Sequence, residues 1–89
     1  MNIITPNSKS ELVNVIIQMF ENNITDLNCI NTSKITDMSN LFSIIFEIKL
    51  SYQKNMSIID ISKWNVSNVK NMAHMFDGVQ NFHILKHPN

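Results

Sequence analysis

The sequence predicts an α/β chain: a short solenoid of strand–turn–short-helix units, closed at one end by an N-terminal helix. Three observations predict it. An apolar stripe recurs at helical spacing early in the chain, a 17-residue segment returns 34 residues later, and within each copy the apolar spacing changes from period two to a helical period. One domain, 1–89, follows, with a capping helix at 8–23, a first repeat at 26–42, an insertion at 43–59, a second repeat at 60–82 and a tail at 83–89.

The helix comes first. Ser8 with Glu11 three positions later has the spacing of a capping box. Leu12, Ile16, Met19 and Phe20 then form one stripe, with Val15 and Ile17 at its margins. Glu21, Asn22 and Asn23 end it, because asparagine tolerates the left-handed backbone that stops a helix. So short a helix needs a surface to pack on.

The repeat decides the fold class. Residues 26–42 align without gaps on 60–76, with identity at Asp26/Asp60, Asn31/Asn65, Ser33/Ser67, Met38/Met72 and Phe42/Phe76. Leu27/Ile61, Ile30/Trp64, Thr32/Val66, Ile35/Val69 and Leu41/Met75 keep shape or hydrophobicity. In each copy Ile30-Asn31-Thr32 or Trp64-Asn65-Val66 alternates like a short strand, and Ser33 or Ser67 supplies a turn. Ile35, Met38, Leu41 and Phe42, and likewise Val69, Met72, Met75 and Phe76, are spaced as one face of a helical turn. Paired helices of the tetratricopeptide kind share the 34-residue offset but need close-packing Gly and Ala that this segment lacks. Strand, turn and helical return make a leucine-rich-repeat-like unit.

This unit resembles the BspA-like leucine-rich repeats of bacterial proteins. Asp60 to Phe76 with Asn81-Phe82 match the short unit of that family nearly throughout, Asp26 to Phe42 match it more loosely, and Ser8 to Val13 resemble its helical lead-in. The resemblance implies a right-handed solenoid used for protein contacts, often in tandem arrays on cell surfaces. Its spacing of about 25 residues leaves roughly nine additional residues here between Phe42 and Asp60.

Those residues lie in the insertion. Ile44, Phe46, Ile48, Leu50 and Tyr52 alternate with Ile45, Glu47, Lys49, Ser51 and Gln53, which predicts a half-buried strand. Such a strand either covers the local core or offers Phe46, Ile48, Leu50 and Tyr52 to a partner by β-addition, and a homodimer satisfies both. A second candidate contact face is the exposed side of the repeats around Lys63, Lys70 and His74. With two units and little beyond Phe82 to close the far end, the chain is expected to bind a protein partner or to self-associate.

Composition narrows the function classes. Apolar residues make up 44% of the chain, formal net charge is zero, and all seven basic residues are lysine, so direct nucleic-acid binding is not expected. The lysine-only usage and the excess of Asn and Ile read as the codon bias of an AT-rich genome, which discounts any single Asn as a signal. Met1 to Pro6 lacks the pattern of a secretory leader, and the apolar run Ile44–Leu50 is broken by Glu47 and Lys49, so a cytoplasmic protein without a membrane span is expected.

No catalytic residue, cofactor or metal is expected. His83 and His87 have the four-residue spacing of a zinc pair but lack a third ligand and adjoin Pro88, so they read as a frayed C-terminus. Cys29 reads as a small filler, Asp26 and Asp60 as backbone-bonding turn residues, and Met38, Met72 and Met75 as pliable core. The lone Gly78 excludes a phosphate-cradling loop, and Trp64 reads as core with its indole N–H on a carbonyl. The expected function is a non-enzymatic protein–protein interaction module, a small adaptor or inhibitor that occupies a partner's surface. An anti-CRISPR-type inhibitor of a defence nuclease, carried by a mobile element, is one specific form. The alternative is a fragment or relic of a bacterial surface adhesin array.

Overall fold

A computed structural model of the chain describes residues 2–56 and 58–78. Among the described residues three helices form: α1 (Lys9–Glu21), α2 (Leu41–Ile48) and α3 (Tyr52–Met56). The expected α/β class does not. Among the described residues there is no strand and no sheet, so the chain is not a strand-based solenoid; extended pairing is confined to isolated parallel bridges at Ile4/Ile30, Asp26/Asp60 and Asp37/Asn71.

In place of strands, each copy of the repeat turns a corner every five or six residues. The first residue of every corner is Asp or Asn, and its side-chain oxygen accepts the backbone N–H two residues on. Asp26, Asn31 and Asp37 do this in the first copy and Asp60, Asn65 and Asn71 in the second, at 2.8–3.1 Å. The fifth residue then donates its N–H to the carbonyl of the second, as Ile30 does to Leu27, Ile35 to Thr32 and Leu41 to Met38, with the matched bonds in the second copy, all at 3.0–3.2 Å. Positions two and five of a corner point inward in the first copy, where Leu27, Ile30, Thr32, Ile35, Met38 and Leu41 are all at most 3% exposed. Ile61, Trp64 and Met75 follow in the second, but Met72, expected in the core, is 44% exposed. The in–out–in pattern of Ile30-Asn31-Thr32 is therefore the junction of two corners. A chain that turns this often cannot extend into a strand.

The two copies lie one on the other in the register the sequence match demands. Leu27 N–H donates to Asp60 O (3.0 Å), Met38 N–H to Asn71 O (2.8 Å), Asn40 N–H to Ala73 O (3.0 Å) and Phe42 N–H to Met75 O (3.0 Å). Side chains add rungs: the Trp64 indole N–H donates to Leu27 O at 3.0 Å and the Thr32 hydroxyl to Asn65 O at 2.8 Å. Both donors are buried, so these bonds also satisfy groups that would be costly to leave unpaired. The matched rings Phe42 and Phe76 stack at 5.4 Å, and the Trp64 ring stacks 6.2 Å from Phe42. Ile4 extends the stack beneath the first copy, taking the N–H of Asn31 at 2.7 Å and donating to Cys29 O at 3.1 Å.

Helix α1 packs against the stack. Ser8 has extended backbone and its hydroxyl accepts the Glu11 N–H, while the Glu11 carboxylate accepts the N–H of Asn7 at 2.7 Å. Leu12, Val13, Ile16, Met19 and Phe20 are buried against the repeats. Asn23, at φ 58°, carries the chain out of the helix.

The insertion is helical, which corrects the strand expected at Ile44–Tyr52. Its apolar run satisfies both periods, and the third corner settles the choice. That corner presents the Asn40 carbonyl to the Ile44 N–H (2.8 Å) and the Ser43 hydroxyl (3.0 Å), so the chain enters α2 already turning. Leu41, Phe42 and Ile45 then bury at helical spacing, and Tyr52 and Met56 do the same in α3. Tyr52 stacks obliquely on Phe20, and its hydroxyl donates to Glu21, which also receives Lys49 at 3.2 Å. This contact ties the insertion to the end of α1.

Two outcomes follow from these bonds. Asn31→Ala and Asn65→Ala should each destabilise by about 1 kcal/mol, the value of one intramolecular hydrogen bond, whereas Asn14→Ala on the exposed face of α1 should not destabilise. Urea midpoints compare them, and equal losses at all three positions would contradict the corner assignment. The Tyr52 hydroxyl, and after it Lys49, hold the Glu21 carboxyl below the ordinary glutamate range; hydrogen bonding to Glu21 holds the Tyr52 hydroxyl above the ordinary tyrosine range. The lowered Glu21 stabilises fully above the ordinary glutamate range, and that contribution is lost as pH falls through the lowered value. The raised Tyr52 stabilises fully below the ordinary tyrosine range, and that contribution is lost as pH rises through the raised value. Tyr52→Phe should flatten both limbs of stability against pH; a profile parallel to that of the unsubstituted chain would contradict the contact.

Candidate functional site

The residues expected to meet a partner do not share one face. Phe46 is half-buried and its ring packs over Gly78, while Tyr52 is 4% exposed and belongs to the core. Ile48 and Leu50 are 56% and 73% exposed at the end of α2 and just beyond it. With no strand in this segment, the expected edge for β-addition is not formed. Lys63 lies on the first corner of the second copy, where its backbone N–H donates to the Asn28 side chain at 2.9 Å.

His74 serves the backbone. It has φ 59°, as its matched residue Asn40 has φ 58°, so both copies pass through the left-handed region at the fourth position of the third corner. Asn and His are among the side chains that tolerate this region best. The exposed imidazole Nδ1 lies 2.6 Å from the Asp77 carboxylate. His83 and His87 lie outside the described residues. Among the described residues no three His, Cys, Asp or Glu side chains are grouped to hold a metal ion. Cys29 is a half-buried free thiol.

Lys70 has different neighbours. It lines a groove of about 480 Å³ with Ser33, Lys34, Thr36, Ser67, Asn68 and Val69. These residues are the second corners of the two copies side by side, pairing Ser33 with Ser67, Lys34 with Asn68, Ile35 with Val69 and Thr36 with Lys70. The rungs that hold this edge are the Lys70 N–H on Thr36 O at 2.7 Å and the Asn68 amide on Ser33 O at 2.7 Å. No carboxylate lines the groove. Lys9 and Lys49 pair with Asp37 and Glu21, but Lys34 and Lys70 form no ion pair among the described residues.

From the sequence Ser33 and Ser67 read only as turn residues, and Lys34, Thr36 and Asn68 were not singled out. The signal was present: 31–36 and 65–70 hold two lysines and no acid, while the first and third corners open on Asp26, Asp37 and Asp60. A smaller, mostly apolar groove of about 240 Å³ lies elsewhere, between Ile4, Ile24 and the Val15, Gln18, Met19 and Asn22 side of α1. No helix among the described residues is long and apolar enough to cross a membrane.

These features define a capped stack of two asparagine- and aspartate-cornered coils with one acid-free edge. The chain matches, over residues 10–85, the model of a family described as "Mycoplasma protein of unknown function, DUF285", and it belongs to that family. No curated protein and no solved structure matches it.

The left-handed position gives a test of the role of His74. His74→Gly should keep stability within about 1 kcal/mol, because glycine adopts the conformation without steric cost. His74→Val should lose about 1–2 kcal/mol, since a β-branched residue resists that conformation. Thermal unfolding reads both, and a tolerated valine would contradict the assignment.

Proposed function

We propose that the chain is a non-enzymatic binding module that holds a protein partner along the edge formed by Ser33, Lys34, Thr36, Ser67, Asn68 and Lys70. The observation that carries this reading is the acid-free groove itself, where two lysines without ion pairs meet hydroxyl groups above the half-buried Val69. A binding surface needs such groups; most charges elsewhere are already engaged. Asp26, Asp37 and Asp60 hold corners, Glu11 caps α1, Glu21 holds Tyr52 and Lys49, and Asp77 holds His74. Six of the seven Asp and Glu side chains serve the backbone and its staples, and the seventh, Glu47, is exposed, which is why a binding role is favoured over acid–base chemistry.

The resemblance of 60–76 to BspA-like repeats, units used for protein contacts, points the same way. A cytoplasmic location is part of the same proposal. Neither the groove nor the family favours a defence-nuclease inhibitor over other protein-binding roles.

Capture from the source cell with a tagged chain tests the reading. Lys34→Glu/Lys70→Glu should lose the partner with the urea midpoint unchanged, while Ile48→Ser/Leu50→Ser keeps it. Retention by the lysine variant and loss by the Ile48/Leu50 variant would move the site to the end of α2 and overturn the assignment.

A further inference from the structure

Resting on the groove as the binding face, we infer that it recognises an extended acidic peptide segment of the partner, with two carboxylates two residues apart. The lining groups differ in what they have left to offer. The Ser67 hydroxyl is spent on Asn65 at 2.7 Å and the Asn68 amide on Ser33 O at 2.7 Å. Lys34, Lys70 and the hydroxyls of Ser33 and Thr36 have no side-chain hydrogen bond or ion pair among the described residues. Two ammonium groups, which only donate, and two hydroxyls, which can donate, therefore line one groove. The complement of such a set is a group that only accepts, and the carboxylate is the protein side chain of that kind.

Spacing selects the pattern. Lys70 is matched to Thr36, so the two lysines stand one coil apart and two positions apart along the edge. With about 4.8 Å between paired backbones and at most about 3.3 Å per residue along a turning chain, their Cα atoms are at most roughly 8 Å apart. Side chains at i and i+2 of an extended peptide stand on one side at about 7 Å. An Asp-x-Asp or Glu-x-Glu segment laid along the edge would place one carboxylate at each ammonium, with Ser33 and Thr36 able to donate to the remaining oxygens. Nucleic acid fits less well. Its binders usually neutralise many phosphates and favour the bidentate fork of arginine, and this edge offers two lysines.

Fluorescence anisotropy with a labelled Gly-flanked Asp-Ser-Asp-Ser-Asp peptide tests the inference on the full chain. The unsubstituted chain should bind it, and binding should weaken as salt is raised. Lys34→Glu/Lys70→Glu should weaken binding about tenfold, as expected for losing two exposed charge pairs and gaining repulsion. Lys63→Glu, on a different corner, should change it less than twofold, and a peptide with a single Asp should bind several-fold more weakly. Equal binding by the Lys34/Lys70 variant, or tighter binding of a single-stranded oligonucleotide than of the peptide, would overturn the inference. So would displacement of the peptide by an equal concentration of inorganic phosphate. The two levels fail separately: partner capture that depends on Lys34 and Lys70 but is not competed by the acidic peptide removes the acidic partner and keeps the binding face.

Discussion

A side-chain oxygen that accepts the N–H two residues further along holds every corner of the two repeats. Asp26, Asn31, Asp37, Asp60, Asn65 and Asn71 each make this bond. It matters because the backbone here has neither a helix nor a sheet to absorb its polar groups. Five of the six bonds are exposed and only that of Asp37 is part-buried, so a local acceptor takes the place of water at these N–H groups and fixes each turn. The short polar side chain supplies that acceptor, and the chain can then turn inward every few residues and still bury Leu27, Ile30, Thr32, Ile35, Met38 and Leu41.

Repetition turns a local device into a fold. Because both copies use the same corners, backbone carbonyls of the second meet N–H groups of the first at matched positions, and Trp64 and Thr32 add buried rungs. The aromatic residues Phe42, Phe76 and Trp64 stack through the interior. The added residues of the insertion do not disturb this register: they leave the third corner as α2, return as α3 and are fastened to α1 through Tyr52 and Glu21. The same repetition places the second corners side by side, and the groove with Lys34 and Lys70 is a consequence.

Part of this was legible in the residues. The cap at Ser8, the stripe of α1, the pairing of 26–42 with 60–76 and the burial of Trp64 against a carbonyl all rest on local chemistry that sequence spacing records. The corners were hidden by arithmetic. Inward positions 27, 30, 32, 35, 38 and 41 are separated by three, two, three, three and three residues, so one stretch imitates a strand and the rest a helix. The asparagines that would have resolved it look like compositional bias, yet Asn31, Asn65 and Asn71 are the acceptors. The insertion misled for a related reason: Ile44 to Tyr52 fits period two, but its backbone inherits the turn of the corner before it. Lys34 was overlooked because only the stack brings it beside Lys70.

Amide hydrogen exchange on the native chain tests the corners most directly. The N–H groups of Asn28, Ser33, Ser39, Ser62, Ser67 and Ala73 lie outside every helix, and most of these residues reach the surface. If side-chain acceptors hold them, they should exchange far more slowly than unstructured amides, and each should lose protection when its own Asp or Asn is replaced by alanine. Exchange at the unstructured rate at these six positions, with protection confined to α1 and α2, would contradict a fold built on such corners.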